Sequence, residues 1–369
     1  MRIAFYAPLK PPDHAVPSGD RRVARLFLDA LRLAGHEPFV ASRLRSYDGH
    51  GDPERQPRLA ELGRHEAERL LRRWRKIPGT APQLWFTYHL YYKAPDWLGP
   101  AICKALGIPY VIAEASFAAK RADSSWAISH GAVAAALRTA DAVLGLNPAD
   151  REGVLPLLRD DGRWIAFPPF LDTSVYPLRR CETPSASRLI AVAMMRPGDK
   201  LASYRLLGAA LGRLLDLSWS LDIIGDGPAR REVERVLAPL GARVHYRGEL
   251  PEDAIPDALA AGYLLVWPAL NEAFGMALLE AQAAGLPVVA GASGGISAIV
   301  SDGATGLLTP PGDVAAFAAA MRRLILDPEA GTAMGRAAQA KVRAEHDLPQ
   351  AAERLAAVID RVTQGKRAA

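Results

Sequence analysis

Two glutamates have the spacing in this chain that most readily does chemistry. Glu272 and Glu280 stand with seven residues between them in NEAFGMALLEAQ, the first in a loop, the second about a turn and a half inside the following helix. Backbone N–H groups from Gly275 to Leu278 open that helix and lack partners further up the chain. With roughly half a positive charge at a helix N-terminus, they can hold phosphate. Carboxylates beside an anion site must do something else, and each can accept a pair of hydrogen bonds from a vicinal diol, which points to sugar hydroxyls. Taken alone, the pair could also be two solvated glutamates at a helix start, where Glu is favoured anyway.

Positioning these groups falls to the stretch around them. YLLVW is an apolar run of strand length ending at Pro268, and VVAG after Pro287 is a second buried strand. Between them a helix carries Ala277, Leu278, Ala281 and Ala284 on its apolar side, with Gly285 as its C′ residue and Pro287 forbidding continuation. Strand, loop, helix and strand make a parallel βαβ unit with a right-handed crossover, and such units bind ligands at the carboxyl end of the strand.

Glu-x7-Glu with Phe274-Gly275 inside, followed by A-x-A-x-G-x-P-V-V, resembles family 4 of the retaining glycosyltransferases. The resemblance implies the GT-B architecture: two Rossmann-like parallel-sheet domains, a deep interdomain cleft, and a C-terminal helix crossing back to the N-terminal domain. It places Glu272 beside the donor sugar, Glu280 on the ribose hydroxyls, and Phe274, Gly275, Met276 and Ala277 near the phosphates and sugar. The family's Arg and Lys after the first strand of the second domain, both reaching the diphosphate, correspond to Arg196 and Lys200 in RLIAVAMMRPGDK. Cations at a helix start oppose its dipole and so ask for an anion. Two of them with a helix N-terminus could neutralise a departing nucleotide without a metal. No DxD-type aspartate pair is present, so no metal or other cofactor is expected.

Further positions follow from the same resemblance. Gly19, at the loop–helix junction after the first strand, becomes a backbone contact to the donor phosphates, with Ser18, Asp20 and Arg21 beside it. Gly248 and Leu250, with Arg247, lie near the base. The family's histidine after the strand IPYVIAEAS is replaced by Glu114, so either His89 takes its role or Glu114 with Ser116 shapes a different acceptor pocket; His89 is equally readable as structural. Lys120 and Arg121 could bind an anionic acceptor. His89, Tyr91, Tyr92, Lys93 and Asp96 sit where a strand's carboxyl end meets the cleft. Gly294 and Gly295 read as a flexible turn, with Ala298 where the family often has Glu, and GDGP at 225–228 reads as a tight turn.

A length of 369 residues with half of them apolar suits two domains, set at 1–172 with a returning helix at about 349–369, and 173–348. Cys103 and Cys181 match no metal spacing and suggest a reducing compartment. No signal peptide or membrane span is evident, which implies a cytoplasmic protein. Residues 1–80 hold 16 Lys and Arg against 10 Asp and Glu, an excess of +6 where the whole chain has +5. The basic helix at 58–76, with Ala60, Gly63, Ala67, Leu70, Leu71 and Trp74 on one face, is either an ordinary packed helix or a peripheral contact with the inner face of a membrane, Trp74 beside the arginines supporting the latter. SYDGHGDPERQP reads as a mobile polar loop.

The expected partners are a nucleoside diphosphate sugar and a glycan or lipid-linked acceptor; nucleic acid is not expected. The expected activity is retaining transfer of a sugar to a hydroxyl. A nucleotide-sugar epimerase or phosphorylase of the same fold and a nonenzymatic nucleotide-sugar binding module stay open. An NAD oxidoreductase does not fit, because no Gly-x-Gly-x-x-Gly follows the first strand.

Overall fold

The computed structural model describes residues 1–16, 18–178, 187–273 and 275–368. They form two compact units, Met1–Pro168 with Leu348–Ala369, and Pro169–Asp347. Cys181 and Phe274 lie outside the described residues.

Unit 1 runs β1 (Arg2–Tyr6), α1 (Gly19–Leu33), β2 (Glu37–Ser42), α2 (Arg55–Lys76), β3 (Leu84–Leu90), α3 (Gly99–Leu106), β4 (Tyr110–Ala115), α4 (Ala127–Thr139), β5 (Ala142–Gly145), the single turn α5 (Arg151–Val154) and β6 (Trp164–Ala166). Its six strands lie parallel in the order β2-β1-β3-β4-β5-β6. Unit 2 runs β7 (Ser187–Val192), α6 (Asp199–Leu211), β8 (Trp219–Ile224), α7 (Arg230–Leu237), β9 (Val244–Gly248), α8 (Ile255–Ala260), β10 (Leu264–Trp267), α9 (Met276–Ala283), β11 (Val288–Gly291), α10 (Ile296–Ile299), β12 (Gly306–Thr309), α11 (Val314–Leu326) and α12 (Pro328–Glu345). This sheet is also parallel, in the order β12-β11-β10-β7-β8-β9. Helix α13 (Leu348–Ala368) belongs to unit 1 and packs on α1.

Helices cover these sheets, so the strands are apolar runs rather than alternating ones; β1, β3, β4 and β10 are buried almost throughout. Helix α9 is also buried on nearly every side, from Leu278 to Ala283. Its C-terminal carbonyl at Ala283 accepts from Gln339 Nε2 of α12 at 2.8 Å.

The unit boundary falls at Pro168/Pro169 rather than at 172/173. Residues 169–173 are already bonded into unit 2: Leu171 N donates to His346 O, and Thr173 N and Oγ1 donate to the Asp347 carboxylate at 3.0 and 2.8 Å.

Several local expectations are corrected. Helix α2 starts at Arg55 and buries Leu59, Gly63, Ala67, Leu70 and Trp74, with Ala60 and Leu71 only half-buried. Trp74 is 3% exposed within the core of unit 1, packed with Trp85 and Tyr110, so it cannot anchor a membrane contact. The polar loop before α2 is held rather than loose: buried Asp48 accepts from the backbone N–H of His50, Gly51 and Asp52, and Trp126 Nε1 donates to Asp48 O. Asp96 is no cleft residue. It is buried, accepts from Trp85 Nε1, Thr87 Oγ1 and Tyr110 OH, and caps α3 through Leu98 N and Gly99 N.

Candidate functional site

In unit 2 the chain leaves β7 toward β8 and β9 on one side, and β10 leads to β11 and β12 on the other. The neighbours β7 and β10 therefore flank the topological switch point, where loops at the carboxyl ends diverge and a ligand can enter. Lys200 and Glu272 meet there: Lys200 Nζ, in the first turn of α6, is ion-paired with Glu272 Oε2 in the loop before α9. Trp267, the last residue of β10, lies beneath both, with Lys200 Nζ 5.5 Å from its ring centroid and Nε1 3.5 Å from Glu272 Oε2. Asn271 Nδ2 donates to Asp199 Oδ1 at 3.0 Å, and Leu270 N to Ser203 Oγ at 3.2 Å, tying the same loop to α6.

Helices α6 and α9 both begin at glycines with positive φ, Gly198 at 83° and Gly275 at 66°, which have no side chain to cap them. Among the described residues, no carboxylate or hydroxyl is bonded to the first-turn N–H groups that open at this end of the sheet. Arg196 precedes α6; its side chain is exposed and makes no hydrogen bond or ion pair among the described residues. Met276 and Ala277 form the first turn of α9, and Glu280 sits further along it, 5% exposed.

The surrounding loops brace this arrangement. Gly294 and Gly295 are not a flexible turn: Gly295 N donates to Ala273 O at 2.7 Å, Ser293 Oγ donates to Ala269 O, and Gly294, at φ 56°, lies against the Glu272 carbonyl. The GDGP turn presses on the loop after β7, with a Cβ at Gly225 or Gly227 colliding with the carbonyls of Ala193 or Met195. Gly248 ends β9, and its carbonyl accepts from Gly225 N, just past β8, at 2.7 Å. Leu250 is half-buried just after it. Arg247 is spent elsewhere, pairing with Arg188 on buried Asp222, whose carboxyl stays below its usual range because the two guanidiniums outweigh its burial.

In unit 1 the switch point lies between β1 and β3. The loop after β1 brings Asp20 in the first turn of α1, and β3 brings His89. His89 Nδ1 is 2.9 Å from Asp20 Oδ1 and 3.7 Å from Glu114 Oε1 on neighbouring β4. Burial lowers the His89 pKa, but Glu114, Asp20 and Asp150 together outweigh it and raise it to about 9. Burial raises the Glu114 carboxyl, with His89 opposing; Asp20 also feels burial, yet His89 holds it below its usual range. Burial raises the Asp150 carboxyl, with Ser116 and His89 opposing.

Gly19 starts α1, whose N-terminus is capped by Ser18 Oγ accepting from Arg21 N. The Arg21 guanidinium is used to hold His14 O and Ala15 O. Arg121 and Lys93 stack on Tyr92 and Trp126. Lys120 is exposed. Sequence reasoning missed Asp150, Ser203 and Trp267, although each falls at or just beyond the carboxyl end of a strand or in the helix turn that follows it.

Residues 186–327 match the family model described as glycosyl transferases group 1. A D-inositol 3-phosphate glycosyltransferase of Streptomyces avermitilis is 40% identical over 117 residues, 31% of this chain and 25% of the relative. An alpha-D-kanosaminyltransferase of Streptomyces kanamyceticus is 33% identical over 138 residues, 37% of this chain and 36% of the relative. The chain thus spans only about a quarter to two fifths of the length of such curated relatives. Among solved structures, sucrose-phosphate synthase from Thermosynechococcus elongatus superposes with a TM-score of 0.76 at 20% identity, covering 99% of both chains. Anabaena Alr3699/HepE in complex with UDP-glucose gives 0.71 at 18% identity, covering 98% of this chain and 99% of that one. The fold of the whole chain is therefore GT-B, and over residues 186–327 its sequence matches the glycosyl transferases group 1 family.

Proposed function

We propose that this protein transfers a sugar from a nucleoside diphosphate sugar to a hydroxyl acceptor with retention of anomeric configuration. The observation that carries this is the meeting of Lys200 and Glu272 between two uncapped helix N-termini at the switch point of unit 2. Arg196, Lys200 and the first-turn N–H groups, including those of Met276 and Ala277, would take the diphosphate. Glu272 would face the sugar and Glu280 the ribose. Gly248 and Leu250 would border the base, and Gly19 would contact the phosphates. Alr3699/HepE has been crystallised with UDP-glucose, which makes a UDP-hexose a sensible first donor.

Retention would proceed by front-face attack, the departing phosphate accepting the acceptor's proton. Leaving-group stabilisation and positioning are then the protein's work, and fixed charges in a water-poor site supply them efficiently. A divalent metal is not needed on this scheme, so transfer should persist in EDTA. Acceptors of the glycan or lipid-linked class would be bound through unit 1, where His89 and Glu114 lie.

The test is a thermal-shift panel of nucleoside diphosphate sugars, followed by product analysis with the donor that binds. Binding with transfer and an unchanged anomeric configuration supports the proposal. Release of an isomerised sugar without acceptor would instead mark an epimerase. Binding with neither transfer nor hydrolysis would mark a binding module.

A further inference from the structure

His89 and Glu114 face each other across the β3–β4 ladder at a place where both backbones leave the β region. The register runs Thr87↔Ile112 and Tyr88↔Ala113, then resumes at Leu90↔Ala115. The skipped residues have φ of 61° at His89 and 60° at Glu114. A non-glycine residue in this region costs of order 1–3 kcal/mol and persists only where its surroundings hold it. Here the surroundings do hold it. The His89 ring packs on Tyr91 with centroids 4.8 Å apart and edge-on to Tyr88 at 5.9 Å, and its Nδ1 is on Asp20. Glu114 is 9% exposed and aimed at the same nitrogen. The His89 side chain keeps 20% exposure, and Nε2 has no hydrogen-bond partner among the described residues.

We propose that Asp20 and Glu114 are positioning residues that fix His89 with Nδ1–H turned inward, so that Nε2–H is presented as a hydrogen-bond donor to a substrate oxygen and His89 does not act as a general base. A carboxylate hydrogen-bonded to Nδ1 and a second one 3.7 Å away favour the doubly protonated imidazolium, which has no lone pair to accept a proton. The other titratable groups around the ring do not oppose this: Asp150 adds negative charge, and buried Tyr88 and half-buried Tyr91 stay neutral, their hydroxyls pushed up chiefly by desolvation. Lys10 acts in the opposite sense, and its influence falls on the Asp20 carboxylate. The assignment of a role in transfer rests on the function proposed above; the state of the ring does not.

The experiment separates the two. Histidine ring carbons of the full chain are followed by NMR against pH without substrate, His89 being assigned among the 8 histidines by loss of its signal in His89→Gln. His89 should titrate near pH 9, and Asp20→Asn or Glu114→Gln should move its midpoint down by at least one pH unit, with Asp20→Glu restoring it. A wild-type midpoint at or below 6.5, or a midpoint unmoved by both variants, overturns the proposal whatever the enzyme's activity. In transfer assays His89→Gln, which keeps an N–H donor, should retain at least tenfold more kcat/KM than His89→Ala. Equal loss in the two overturns the donor role.

Discussion

Gly294→Ala should damage the donor loop without touching any group that would contact a ligand. Gly294 has φ 56°, and a Cβ there would collide with the Glu272 carbonyl oxygen, come within 3.0 Å of its carbon and within 3.2 Å of the Ala273 oxygen. These are backbone atoms, so no side chain can swing aside. Gly303 in the same unit supplies the control, with φ 74° and nothing within 4 Å of the same Cβ. Both substitutions carry the left-handed penalty of an L-residue, about 1–2 kcal/mol. Only Gly294→Ala adds displacement of the 272–273 backbone, worth a further 1–3 kcal/mol by comparison with overpacked sites. Urea unfolding should therefore rank Gly294→Ala below Gly303→Ala by about 1–3 kcal/mol. Because the displaced carbonyl belongs to Glu272, donor binding measured by calorimetry should weaken at least about tenfold in Gly294→Ala, or 1.4 kcal/mol, and stay unchanged in Gly303→Ala. Equal stabilities with equal affinities would refute the claim that the 293–295 turn buttresses the loop.

Three further outcomes follow from the same geometry. Lys200→Ala and Glu272→Ala should each slow turnover by about 10²–10³-fold, some 2.7–4 kcal/mol, while circular dichroism stays native; near-normal kcat in both would end the site assignment. Asp96→Ala strands the Thr87 and Tyr110 hydroxyls and the N–H groups of Leu98 and Gly99, leaves Trp85 Nε1 with Thr87 Oγ1 alone, and should cost unit 1 roughly 3–5 kcal/mol in denaturant unfolding. The raised pKa of His89 means the folded state holds its proton more tightly, so this stabilisation is complete below pH 6.5 and is lost as pH rises through about 9. With 2.5 pH units between the two values, wild type should lose roughly 3 kcal/mol across that window, and His89→Gln should show a flatter profile.

The βαβ unit around residues 264–291 was legible because each of its signals is local. The run of β-branched and leucine residues, the strand-ending Pro268, and the Gly285 and Pro287 stop all act within a few positions. Lys200 and Glu272 were legible by family resemblance, but their mutual ion pair was not, since 72 residues separate them and only the β7–β10 adjacency brings them together. Asp48 and Asp96 misled for the opposite reason. Charged residues in polar or turn-rich stretches read as solvent-facing, whereas the Asp48 carboxylate folds back on its own loop's N–H groups and Asp96 takes the Tyr110 hydroxyl from the neighbouring strand. Trp74 beside a run of arginines looked interfacial because helical periodicity gives the buried face but not what covers it, here the core around Trp85 and Tyr110. Glu114 could not be singled out by pattern, because β4 is buried on both faces and its alternation is erased.

Backbone strain locates the working ends of both sheets independently of any resemblance. Among the described residues the non-glycine positions with positive φ are His89, Glu114, Ala269 and Asn271. None lies in a peripheral turn. His89 and Glu114 are at the carboxyl ends of β3 and β4, beside the unit 1 switch point, and Ala269 and Asn271 follow β10 at the unit 2 switch point. In a parallel sheet each carboxyl end must release the chain toward a helix, and an unstrained loop would do so with glycine or a longer connection. Here the tight exits keep their side chains. At Asn271 the retained side chain reaches Asp199, and at His89 it reaches Asp20, each joining a strand end to the first turn of the helix after a neighbouring strand. The strain is thus sustained by contacts that also fix the opening turns of α6 and α1, which couples the shape of each switch point to the side chains placed there.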